Sequence, residues 1–141
     1  MFSQILVAFD NSVHAHKSLK MGFEFAKKNN SHLHVVTVVH LPDYAGTIDE
    51  VDETMREKKN LYEEIMGKVV AEAEKQGIKI TSKILYGHIG QTLIKYEKEH
   101  EIDIIITGSH GKSPAAKLLL GSVSSYILKH ANCPVLIVRE S

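Results

Sequence analysis

The stretch Ile102-Asp-Ile-Ile-Ile-Thr-Gly-Ser-His-Gly-Lys-Ser113 joins an apolar run to a glycine loop, and its reading decides the fold. Ile102 to Thr107, interrupted only by Asp103, has the near-continuous hydrophobicity of a strand buried on both faces. It runs straight into Gly108. Gly108 to Ser113 looks like a phosphate-binding P-loop with two residues missing, because that motif needs four residues between its glycines before Lys-Ser. Lys112 and Ser113 therefore do not take the Walker lysine and magnesium-serine roles by their letters alone. Nine residues separate Gly111 from Gly121-Ser122, which stands immediately before a helix whose expected inner face is Val123, Ile127, Leu128 and Ala131. Pro134 to Val138 follows as a further strand.

Upstream the same alternation holds. Gln4 to Phe9 is a continuous apolar run ending at Asp10-Asn-Ser12, and Ser12 can cap the helix that follows. That helix carries Ala15, Ser18, Leu19, Gly22, Phe23 and Ala26 at helical spacing and stops at Asn29-Asn-Ser31. Leu33 to Val39 is a second buried strand. Leu41 to about Asn60 is polar and acidic, with Pro42 and Gly46. Its early part is expected to be a loop able to cover something, with the acidic run Asp49 to Glu53 a solvated loop and helix start. Leu61, Ile65, Val69 and Ala73 mark the next helix, which Gly77 stops. Ile78, Ile80 and Ile84 alternate with Lys79, Thr81 and Lys83, as in an edge strand with one wet face, and Ile89, Thr92, Leu93 and Tyr96 form another helical stripe.

Strands separated by helices form parallel crossovers, so the expected fold is an open α/β sheet with helices on both faces. Ligands of such sheets bind beyond the carboxyl ends of the strands, where the strand order reverses. Asp10 to Ser12 and Gly108 to Ser113 both occupy such ends. If their strands are neighbours, they line one crevice.

Composition narrows the function. The chain has 141 residues and 43% hydrophobic content, suited to a single domain over residues 1–141, and 17 basic residues balance 17 acidic ones. No overall positive field attracts nucleic acid or an anionic membrane, so a nucleotide has to be held by local geometry. The single cysteine, Cys133, excludes an internal disulfide framework and reads as a small buried residue. No stretch reaches the roughly 18 apolar residues of a spanning helix, and the expectation is a soluble, cytoplasmic protein without membrane insertion.

The glycine segment reads as a two-part anion cradle. Gly108 and Gly111 allow positive φ and let the backbone bring its N–H groups close to an anion. Gly121, Ser122, Val123 and Ser124 sit at a helix amino terminus, whose unpaired N–H groups and dipole favour phosphate, and the two serines add hydroxyls. Lys112 offers a point charge. Asp10 stands at the other strand end facing this crevice; its bland alternative is a helix cap. The dinucleotide fingerprint is excluded, since it needs Gly-x-Gly-x-x-Gly after a first strand. Of the nine histidines, His14 and His16 face different ways on a helix, and His32 and His34 share a strand face without an evident third ligand, so structural or solvent-exposed roles are expected.

Gly108-x2-Gly111-x9-Gly121-Ser122, with Val7-Ala-Phe-Asp10-Asn-Ser12 and Cys133-Pro-Val-Leu-Ile-Val-Arg139, resembles the universal stress protein family across essentially the whole chain. Lys112 stands where arginine is common in that family, and Pro114 stiffens the loop. The resemblance implies a Rossmann-like sheet of five parallel strands in the order 3-2-1-4-5, binding ATP (or ADP or AMP), with or without magnesium. It implies adenine contacts near Ala8 and Val38, Asp10 close to adenine and ribose, and phosphates against Gly108 to Ser113 and Gly121 to Ser124. In that order Val135 to Val138 lies on an edge without charges to guard it, which predicts a homodimer joined there. The expected function is an ATP-binding, homodimeric stress or regulatory protein whose nucleotide state alters a loop or a protein partner's surface. Slow ATP hydrolysis or phosphotransfer using His110 or Asp10, and a nucleotide-free dimeric scaffold, are the alternatives.

Overall fold

The computed structural model describes residues 2–40, 48–110 and 120–139, with the side chains of 48–51 excepted. Strands and helices alternate: β1 (Gln4–Ala8), α1 (Val13–Asn29), β2 (His32–Val39), α2 (Ile48–Lys75), β3 (Lys79–Tyr86), α3 (Ile89–Glu99), β4 (Ile104–Gly108), α4 (Ser122–His130) and β5 (Val135–Val138). All pairings are parallel and the sheet order is β3-β2-β1-β4-β5. The order reverses between β1 and β4, whose register sets Ile5 opposite Ile104 and Val7 opposite Ile106. This is the expected open sheet in the expected order.

Residue parity on the strands assigns the helices to faces. Ile5 and Val7, with Leu33, Val35, Ile104 and Ile106, pack against Leu19 and Phe23 of α1 and Met66 and Val69 of α2. Leu6, Val36 and Ile105 point the other way, onto Leu93 and Tyr96 of α3 and Ile127 of α4. Successive side chains on a strand alternate faces, so a stretch covered on both sides must be apolar, as Ile5 to Val7 of β1 and Ile104 to Ile106 of β4 are. Each such fully buried side chain contributes about 1.5–3 kcal/mol. The face read for α1 is buried at every position, from Ala15 to Ala26. Gly22 belongs there because a Cβ would lie 2.7 Å from a Val7 methyl.

Three expectations need correction. The polar stretch before Leu61 is not all loop: α2 already begins at Ile48. Residues 52–54 and 56–61 are exposed and pack on no layer, so they carry no apolar stripe, yet Glu, Met, Arg and Lys are good helix formers. The acidic run thus sits in the opening turns of a helix, where acids are favoured. Leu128 was placed on the inner face of α4 but is 46% exposed, while Ser124 and Ile127 are the buried positions. On β3, the wet-face alternation is blurred, because Thr81 and Ser82 are half-buried alongside the isoleucines; the strand is nonetheless an edge.

Candidate functional site

Local hydrogen bonding fixes the chain where β1 ends. Thr37 Oγ1 donates to the Phe9 carbonyl at 2.7 Å and Phe9 N–H to that of Val36 at 3.0 Å, holding this exit against β2. One Asp10 carboxylate oxygen accepts the Ser12 N–H at 3.0 Å, closing a turn through Asn11, whose φ of 64° asparagine tolerates. Ser12 Oγ then accepts the Ala15 N–H at 3.1 Å as the cap of α1. The capping role weighed for Asp10 therefore belongs to Ser12, and Asp10 orients the turn ahead of it.

Where β4 ends, the two described parts of the glycine segment are tied to each other. The Ser109 carbonyl accepts the Gly121 N–H at 2.7 Å and the Ser124 hydroxyl at 3.0 Å, and the Ser109 N–H donates to Val138. Gly121 is the cap of α4 and makes no side-chain cap. Its own N–H is thus spent on Ser109, and the donors left without partners among the described residues are the N–H groups of Ser122, Val123 and Ser124. The Ser124 hydroxyl, 2% exposed, also reaches the Gly121 carbonyl, so it braces the helix start with its proton rather than facing outward.

Gly108 differs from its sequence reading. It does not have positive φ; the left-handed glycines among the described residues are Gly77 and Gly87. Its reason is proximity: a Cβ would lie 2.5 Å from the Cβ of His14 in the first turn of α1. Around it, His14 Nδ1 lies 3.2 Å and His110 Nδ1 3.4 Å from the Ser109 hydroxyl, with the two rings edge to face at 5.7 Å.

These segments border one cavity of about 750 Å³ beyond the carboxyl ends of β1 and β4. That is within the usual range for small-molecule sites. Ala8, Val36, Val38, Ile89, Leu93 and Val123 give it apolar walls, while Asp10, Ser12, Thr107, Gly108, His110, Gly121, Ser122 and Ser124 bring polar groups or backbone. Of the residues singled out from sequence, Ala8, Asp10, Val38, Gly108, His110 and Gly121 to Ser124 meet here. Ser109 is buried behind the lining, and Gly111, Lys112 and Ser113 lie outside the described residues.

Sequence reasoning missed the wall supplied by α2. Lys58, Leu61 and Tyr62 line the cavity, and the Tyr62 hydroxyl donates to the Asp10 carbonyl at 3.4 Å. Their i, i+3, i+4 spacing was the available signal. Leu61 carries the sign of a core stripe with Ile65, Val69 and Ala73 but is 50% exposed and lines the cavity instead, while Lys58 belongs to no apolar stripe.

Several other histidines hold local structure: His88 caps α3, accepting the Gln91 N–H at 3.1 Å, and His16 Nε2 meets Asn11 Oδ1 at 2.7 Å. His34 is buried between the Tyr96 hydroxyl and Gln4 Oε1, each at 2.7 Å, and stacks on His32 with 4.4 Å between centroids. Burial, reinforced by the neighbouring His32 and His100, lowers its pKa to about 4, so it is neutral at pH 7. Among the described residues, no three metal-ligating side chains gather. Burial pushes the Cys133 thiol up to about 11, which keeps it protonated and inert.

The sequence matches the universal stress protein family over residues 1–139. Universal stress protein MJ0531 of Methanocaldococcus jannaschii is 27% identical over 99% of this chain and 84% of its own length. Among solved structures, MJ0577 of the same organism superposes with a TM-score of 0.91 at 28% identity, covering 100% of this chain and 98% of that one. An Arabidopsis thaliana universal stress protein with AMP bound shares the fold at a TM-score of 0.74 and 19% identity, over 99% of this chain and 92% of its own. Because the family match runs through both walls of the crevice and the superposition leaves no element out, the chain belongs to the universal stress protein family.

Proposed function

We propose that the protein binds ATP, or another adenine nucleotide, in the crevice between β1 and β4 and acts as a nucleotide-dependent regulatory protein in the cytoplasm. The observation that carries this is the pairing of opposite walls: the Asp10 turn on one side, and on the other the α4 amino terminus with the N–H groups of Ser122, Val123 and Ser124. Phosphate favours such a helix start, which offers donors and the positive end of the dipole. A carboxylate repels phosphate but accepts from ribose hydroxyls, so the two walls orient a nucleotide. Ala8 and Val38 provide apolar surface for the base. AMP in the Arabidopsis relative supports the ligand class.

Magnesium fits as a companion of the phosphates, since it binds through one or two carboxylates plus phosphate oxygens. Asp10 is the carboxylate that would share it, and the ion would supply charge neutralisation. Gly111, Lys112 and Ser113 complete the phosphate side of this reading, with Ser109 and His110. A second reading, slow ATP hydrolysis, draws on His110, which lines the cavity. Phosphate release that persists through repurification and disappears in His110→Ala would establish it.

Calorimetry with ATP and magnesium, together with analysis of nucleotide released from purified protein, tests the main proposal. Saturable binding is expected. No heat at millimolar ATP and no co-purified nucleotide would overturn it.

A further inference from the structure

Resting on the nucleotide reading above, we infer that Lys58 of α2 contacts the phosphates of the bound nucleotide and strengthens the preference of the site for phosphorylated over uncharged nucleosides. Among the described residues lining the crevice, Lys58 is the only lysine or arginine. Its neighbour Lys59 pairs along the helix with Glu63 at 3.9 Å, whereas no carboxylate among the described residues pairs with Lys58. Among the described lining residues Lys58 is thus the one fixed positive charge and Asp10 the one carboxylate.

The placement follows from helix length. α2 has 28 residues and β3 has eight, so at 1.5 Å and about 3.3 Å per residue the helix, about 42 Å, outruns the strand, about 26 Å. Tyr62 marks where α2 leaves the sheet, because its hydroxyl reaches the Asp10 carbonyl just past the end of β1. Lys58 lies four residues nearer the amino terminus, about 6 Å farther out along the axis and on the same face. It therefore overhangs the mouth. Leu61, 50% exposed beside the cavity, adds an apolar surface on this wall. A phosphorylated ligand meets the α4 donors on one side, the Asp10 carboxylate repels it, and Lys58 offsets that repulsion. An uncharged nucleoside gains nothing from the ammonium.

The test is calorimetry with ATP and with adenosine on the wild type, Lys58→Ala, Lys58→Glu and Lys59→Glu. Lys58→Ala should weaken ATP about three- to fivefold and Lys58→Glu on the order of tenfold or more, with adenosine unchanged within about twofold. Lys59→Glu makes the same charge change outside the cavity and should leave ATP affinity near wild type. The inference falls if Lys58→Glu binds ATP like the wild type, if adenosine weakens equally, or if Lys59→Glu matches Lys58→Glu. Thermal melts confirm that the variants fold, which Lys58, an exposed residue, makes the expected result. A wild type that binds neither ligand would instead overturn the nucleotide reading, and this inference with it.

Discussion

Gly108 lies where the end of β4 meets the first turn of α1, and the cost of filling that space can be measured. A methyl group there would stand 2.5 Å from the Cβ of His14, a backbone-anchored atom that cannot swing aside. Gly108→Ala must therefore push α1 from β4, at about 1–3 kcal/mol, and separate the two walls of the crevice. Urea unfolding should show the loss and calorimetry a weaker ATP complex; an unchanged midpoint would refute the steric argument. His34 supplies a second residue-scale prediction. Its folded pKa of about 4 lies below the ordinary 6.5, so between those values the unfolded chain binds the extra proton. Stability is then complete above about pH 6.5 and falls as pH drops towards 4, by at most about 3 kcal/mol from this group. His32, lowered first by burial and then by Lys79, adds in the same direction. The urea midpoint should drop between pH 7 and pH 5, and the drop should shrink in His34→Gln; equal midpoints at the two pH values would remove the argument.

At the scale of the element, one glycine inside α2 and one just past its end have opposite consequences. Gly67 is in the exposed interior of α2, with nothing within 4 Å of where its Cβ would stand, so Gly67→Ala should stabilise by about 1 kcal/mol through helix propensity. Gly77 has equally open space but a φ of 73°, which terminates α2, so Gly77→Ala should destabilise by about 1 kcal/mol. Thermal melts of the pair check both signs, and the same sign for both would sink the account. The contrast also marks how far the sequence was legible. Elements buried in the two cores declared themselves, because Ile5-Leu6-Val7 or Ala15 to Ala26 can have that periodicity only if particular faces are covered. The first half of α2 did not, since a helix that touches no layer has no reason to carry a stripe. Leu128 failed for the opposite cause: an apolar residue at helical spacing is not obliged to be buried.

For the whole molecule, topology made the site legible: strand-end segments distant in sequence meet because the sheet order reverses between β1 and β4. The wall from α2 was not legible, because it depends on a helix length that only the assembled sheet reveals. The same topology leaves β5 as an edge, and its hydrogen bonding gives a sharp test of the proposed homodimer. The Pro134 and Val138 carbonyls accept from the N–H groups of Ile105 in β4 and of Ser109 just past its end. Parallel ladders use alternate residues, so Leu136 also turns its backbone groups inward, and Val135 and Ile137 present theirs outward. Leu136 and Val138 pack on one core and Val135 on the other, while Ile137, half-buried, joins neither among the described residues. Ile137→Pro should remove an outward N–H and a contact side chain while sparing both the ladder to β4 and the cores. Sedimentation velocity over a concentration series is expected to give a dimer for the wild type and a folded monomer for Ile137→Pro, with circular dichroism unchanged. A wild type that stays monomeric throughout, or a proline variant that dimerises as well as the wild type, would exclude β5 as the joint.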